Sequence, residues 1–213
     1  MDKRKLATVV VALFGAMIVA ALLRFNTQPQ SYERYLVGNV VGLLWIPMLT
    51  IFFILRDDVD SYGFGPTRSK NVWMWVLGLA VLIILAEALV ARWPRYQEYY
   101  PMYRQFGLGS GNGIDIHTLV YFELTYGMYL FCWEFFFRGY LLFGFAQTVG
   151  WRAVVLQAIP FGIMHYGKPE FAVSFMGGLI LGILAYRAKS FLPAFVLHWT
   201  AAISLDLLVV FVR

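Results

Sequence analysis

The stretch Leu6-Ala7-Thr8-Val9-Val10-Val11-Ala12-Leu13-Phe14-Gly15-Ala16-Met17-Ile18-Val19-Ala20-Ala21-Leu22-Leu23 carries no charge over 18 residues. A helix rises about 1.5 Å per residue, so about 20 apolar residues cross a bilayer core of about 30 Å. The run follows Lys3-Arg4-Lys5, as a signal peptide would. It exceeds a signal core of about 7–15 residues and has no A-x-A cleavage pattern behind it, so it is expected to stay as a first membrane helix.

Further stretches of this kind follow at Leu36–Leu55, Val72–Ala91, Thr118–Ala146, Trp151–His165, Phe171–Tyr186 and Phe191–Val212. The expected fold is therefore all-α, a polytopic transmembrane helix bundle of about seven spans, six to eight, in one membrane-embedded domain over residues 1–213. The fourth stretch is too long for the bilayer core and must tilt or protrude. The fifth and sixth are short, as helices packed around a cavity can be. The composition agrees: 61% hydrophobic, 14% charged and 18% aromatic, against about one quarter charged in soluble domains.

The net charge of +5 is spread over loops, and no basic run beyond Lys3-Arg4-Lys5 exists. It reads as topology and attraction to lipid headgroups, with no nucleic-acid partner. With the N-terminus inside, nine Lys and Arg lie on the cytoplasmic side and seven on the other, a weak bias in the expected sense. The lone cysteine, Cys132, sits between Phe131 and Trp133, so it reads as a packed thiol, and no CxxC motif is present. The longest loop, Arg92–His117, begins with aromatic residues and continues as Gly107-Leu108-Gly109-Ser110-Gly111-Asn112-Gly113. It reads as an interfacial segment with a hinge, or as a lid. No strand precedes the glycines, so they are no dinucleotide fingerprint.

Ionisable residues at membrane depth are costly and mark function by default. They are Glu87, Glu123, Glu134, Arg138, His165, His198 and Asp206. Glu134 and Arg138 are spaced i,i+4 in the order that favours an ion pair. Glu123 precedes Glu134 by 11 residues, about three turns, which places both on one helix face. Asp206, two turns beyond His198, is placed to orient that histidine or to pair with Arg138. Gly177-Gly178 and Gly182 read as close helix packing. Glu134, His165 and His198 on three helices support two chemistries. In one, Glu134 and a histidine polarise water for attack on a carbonyl while the second histidine meets the oxyanion. In the other, the three side chains hold Zn²⁺. A small transporter is a third reading.

The segment Trp133-Glu134-Phe135-Phe136-Phe137-Arg138-Gly139 resembles the EExxxR motif of the CPBP (CAAX protease and bacteriocin-processing, Abi) family of intramembrane proteases. Phe161-Gly162-Ile163-Met164-His165 resembles its FxxxH motif, and His165-Tyr166-Gly167-Lys168-Pro169 looks like the HxGKP continuation of bacterial members. His198 falls where the third motif, HxxxN or HxxxD, would start. The resemblance runs from about Glu123 to Asp206, with a family-like core at about 118–212. It implies a glutamic-type protease with no required cofactor. In that reading Glu134 is the base, His165 its partner, His198 the oxyanion donor and Arg138 the residue orienting Glu134. Phe161, Glu123 and Asp206 are expected at the substrate. Two positions depart from the motifs: Trp133 replaces the first Glu and Ala202 replaces the Asn or Asp. The expected activity is hydrolysis of a peptide bond in a membrane-proximal or lipidated peptide or protein, in the bacterial cytoplasmic membrane. The alternative is a catalytically inactive membrane scaffold or immunity-type protein.

Overall fold

The computed structural model describes residues 2–26, 31–67, 69–108 and 116–211. These residues are helical and contain no strand. Helix α1 (Lys3–Phe25) starts at Asp2, whose carboxylate accepts from the Arg4 amide and so satisfies one of the donors that a helix start leaves unpaired. Helix α2 (Tyr32–Val40) is capped by the Ser31 hydroxyl. It continues through wide π turns at Val41–Trp45, a short α3 (Ile46–Leu49) and further π turns at Thr50–Leu55. Pro47 lies inside this rod. Having no N–H to donate and a ring that crowds the preceding turn, proline favours such widening.

Helix α4 (Lys70–Val90) turns most of its surface outward, with Val72 and Val76 among its few buried residues. Such a surface suits lipid contact. The short α5 (Pro94–Tyr99) and a 3-10 turn (Met102–Phe106) form the aromatic loop, and the hinge from Gly109 to Gly113 lies outside the described residues. Helix α6 (Ile116–Glu134) passes through a π segment (Phe135–Leu141) into α7 (Leu142–Val149). Gly150, at φ 59° and ψ −134°, then breaks the chain, a backbone conformation open essentially to glycine alone.

Helices α8 (Ala153–Ile163), α9 (Phe171–Ala188) and α10 (Leu192–Phe211) complete the bundle. By length and apolarity, 6 helical stretches among the described residues are able to cross a membrane, counting 116–163 as one. The break at Gly150 divides that stretch, so seven helical segments result, in agreement with the sequence reading. The helix ends shift by a few residues, and at one of them the shift bears on the site. The sequence places His165 at the end of the fifth span, whereas α8 ends at Ile163 and His165 sits in the turn beyond it. Pro160 lies near the end of α8. The 11 residues of α8 make about 16 Å of helix, roughly half the bilayer core.

Glycines set the closest approaches. A Cβ on Gly144 would fall 2.7 Å from Val11, and one on Gly182 would fall 2.4 Å from the Gln157 amide. The first contact brings α1 onto α7, where the Thr8 hydroxyl also donates to the Gly144 carbonyl at 3.1 Å. The second brings α8 onto α9, where the Gln157 amide donates to the Gly178 carbonyl at 2.9 Å. Gly177 faces open space, so the close packing expected of the Gly177-Gly178 pair rests on Gly178 alone.

Candidate active site

The last turn of α6 and the π segment after it form the centre of the bundle. Phe135, Phe136, Phe137 and Tyr140 are all fully buried. A charge among such side chains is costly unless paired. Glu134 and Arg138 answer this together. Arg138 Nη1 donates to Glu134 Oε1 at 3.0 Å, and neither side chain has exposed surface. The Arg138 guanidinium also lies 3.9 Å above the Phe161 ring, a favourable cation–π contact where water is excluded. Gly139 makes the site possible, because a Cβ there would sit 2.9 Å from the Tyr62 carbonyl oxygen and 2.8 Å from the Phe135 ring.

Helix α10 supplies the third group. His198 Nδ1 lies 2.6 Å from Glu134 Oε1. A carboxylate accepts here, so Nδ1 bears the hydrogen of this contact. The His198 side chain is 19% exposed whereas that of Glu134 is 0%, so the histidine is the edge of the pair that outside molecules can reach. Pro193 stands in the first turn of α10, where a missing N–H costs nothing.

His165 is close by but differently held. Its Nδ1 donates to the Phe161 carbonyl at 2.8 Å. Its ring lies 4.5 Å from that of Phe161 and 5.7 Å, edge-on, from that of Trp133. Phe161 also lies 5.9 Å from the His198 ring. Phe161 thus forms an apolar wall touched by Arg138, His165 and His198. Glu134 Oε2, Arg138 Nε and Nη2, the Trp133 indole N–H and the Tyr140 hydroxyl are all buried and without a hydrogen-bond partner.

The other expected residues lie elsewhere. Asp206 neither orients His198 nor pairs with Arg138, because Glu134 holds both. Asp206 and Glu123 instead lie near each other, with both Glu123 carboxylate oxygens and Asp206 Oδ1 buried and without a hydrogen-bond partner, one face of α6 meeting α10 about three turns from Glu134. The Trp199 indole donates to the Glu123 carbonyl at 3.2 Å in the same layer. Glu87, at the end of α4, accepts from the Ser204 hydroxyl of α10. Among the described residues, no group of three His, Cys, Asp or Glu side chains is disposed to hold a metal ion.

Sequence reasoning gave no site role to Lys168 and treated Trp133 only as a departure from the motif. Lys168 Nζ lies 5.8 Å from the Trp133 ring. Both line a cavity of about 370 Å³. The HxGKP run was the one sequence signal that pointed to Lys168.

The family model described as type II CAAX prenyl endopeptidase Rce1-like matches residues 116–204. That stretch holds Glu134, Arg138, His165 and His198. No curated protein and no solved structure matches the chain.

Proposed function

We propose that this chain, whose residues 116–204 match the Rce1-like family model, is a CPBP-type intramembrane endopeptidase acting through a Glu134–His198 dyad. One observation carries the reading. The 2.6 Å contact holds Nδ1 of the partly exposed His198 ring on the buried Glu134 carboxylate, and Nε2 is the nitrogen that this contact does not use. A carboxylate that orients an imidazole in this way also stabilises the imidazolium formed when Nε2 takes a proton.

The reaction follows from that assignment. His198 Nε2 removes a proton from water as the oxygen attacks the peptide carbonyl. The C–O bond forms and negative charge develops on the carbonyl oxygen. The two unpartnered donors of Arg138 are available to stabilise that charge. The proton on His198 then passes to the leaving nitrogen as the C–N bond breaks. His165, with Nε2 free, positions the water. Relative to the sequence expectation, this moves the base from Glu134 to His198 and makes Glu134 the group that holds it. Phe161 packs beneath the reacting groups. No step assigns a role to a metal.

The substrate is a membrane-proximal or lipidated peptide or protein that reaches the site through the bilayer. In a bacterial cell the cytoplasmic membrane is the corresponding location. A second reading has one observation in its favour. Glu134 is fully enclosed and neutralised by Arg138, with Trp133 where the motif has its first Glu. That is also what an inactive scaffold of the same fold would show.

The deciding experiment uses the purified chain in liposomes with a quenched, membrane-anchored peptide library. Cleavage by the wild type that disappears in Glu134→Gln and in His198→Gln, and that survives a chelator, is the expected result. Loss of cleavage with chelator would move the chemistry to a metal. Absence of cleavage by the wild type across the library would favour the scaffold.

A further inference from the structure

The cavity beside the site is lined in part by Leu22 and Asn26 at the end of α1, Phe106 in the aromatic loop, and Trp133 and Lys168. About 370 Å³ falls within the usual range of small-molecule sites, roughly 300–1,000 Å³. Its walls are mostly apolar and aromatic. Of the residues lining it, Lys168 alone is charged. No acid shares the cavity. Lys168 makes no ion pair among the described residues, and the Glu170 carboxylate two residues on acts on it through space only. The ammonium group is held against the Trp133 ring, and burial pushes its pKa down, with Glu170 offsetting only part of the lost solvation.

A second unspent donor stands at the same place. The Trp133 indole N–H is buried and has no hydrogen-bond partner. Buried donors are normally satisfied. The rim comes from the turn after α8 and the aromatic loop after α4, both beyond the ends of apolar helices.

We propose that this cavity binds a single-chain anionic amphiphile, with its carboxylate or phosphate on Lys168 and its apolar chain against the aromatic walls. The inference concerns occupancy of the cavity and does not use peptide hydrolysis by Glu134 and His198. Carboxylate and phosphate present the same chemistry to Lys168, and the competitors below separate them.

The test is equilibrium binding of radiolabelled dodecanoate to the full chain in nanodiscs, with empty nanodiscs as the baseline. Saturable binding of about one molecule per chain is expected. Lys168→Met should weaken it about tenfold or more, the effect of losing one charge-assisted contact, and Lys168→Arg should retain it. Dodecyl phosphate should compete, while dodecanol and dodecyltrimethylammonium should not. Preference for dodecyl phosphate or for dodecanoate would name the headgroup. The proposal is overturned if binding does not exceed the empty-nanodisc baseline. It also fails if Lys168→Met binds as the wild type does, if dodecanol competes equally, or if a peptide with a free C-terminus displaces dodecanoate at far lower concentration than either anion. The Lys168→Arg protein controls for folding, and hydrolysis is not measured, so failure here leaves the dyad untouched.

Discussion

His198 Nδ1 and Glu134 Oε1 stand 2.6 Å apart although 64 residues separate them in sequence. The bond makes Glu134 the shared partner of a permanent cation and a titratable ring. Under the dyad reading, His198→Gln removes the base but leaves a side chain able to donate to Glu134. Hydrolysis should fall by about 10²–10⁴-fold, the usual worth of a positioned base. Thermal unfolding should change little, because the side chain is partly exposed. Measuring both on one preparation separates loss of chemistry from loss of structure.

The Glu134–Arg138 pair predicts an asymmetry in stability. Glu134→Leu strands the Arg138 guanidinium among Phe135, Phe136 and Phe137. Arg138→Met leaves Glu134 still bonded to His198. Breaking a buried pair from one side costs about 3–5 kcal/mol, and the Glu134 change should be the larger of the two. The double variant should unfold at a higher denaturant concentration than Glu134→Leu alone, because no unpaired charge remains. Unfolding in mixed micelles measures all three.

Two glycines should respond oppositely to the same substitution. Gly139→Ala forces a Cβ against the Tyr62 carbonyl oxygen, a backbone atom that cannot move aside cheaply. A loss of about 1–3 kcal/mol is expected. Gly177→Ala meets nothing within 4 Å and should be neutral, or stabilising by up to about 1 kcal/mol from better helix propensity. Denaturation midpoints compared side by side decide it.

Gly150→Ala tests the break in the long helix. No neighbour obstructs the added carbon, so any cost comes from φ 59° and ψ −134°. About 1–3 kcal/mol is expected. Its size in the same denaturation assay measures how firmly the turn between α7 and α8 is imposed by the bundle.

Glu134–Arg138 was legible because both partners sit on one helix, where an i,i+4 spacing fixes their distance. Phe161 and His165 are likewise four apart in sequence, and their rings meet at 4.5 Å. Asp206 was misassigned for the opposite reason. Its partner depends on how α10 is rotated and shifted against α6, which no local spacing encodes. The same rotation carries His198 to Glu134 and leaves Asp206 beside Glu123. Trp133 was visible as a departure from the motif, but its place as a cavity wall beside Lys168 depends on the turn after α8.

The sequence by itself determined that the chain crosses a membrane as a bundle of about seven helices, because uninterrupted apolar runs have no other stable solvent. It also picked out the short list of polar residues within those runs, whose burial cost makes them stand apart. Only the tertiary structure decided which of those residues meet. Partners on different helices are set by the close approaches at Gly139, Gly144, Gly178 and Gly182 and by the break at Gly150. Those contacts arise from packing whole helices together, a balance of many weak forces that no single stretch of sequence contains.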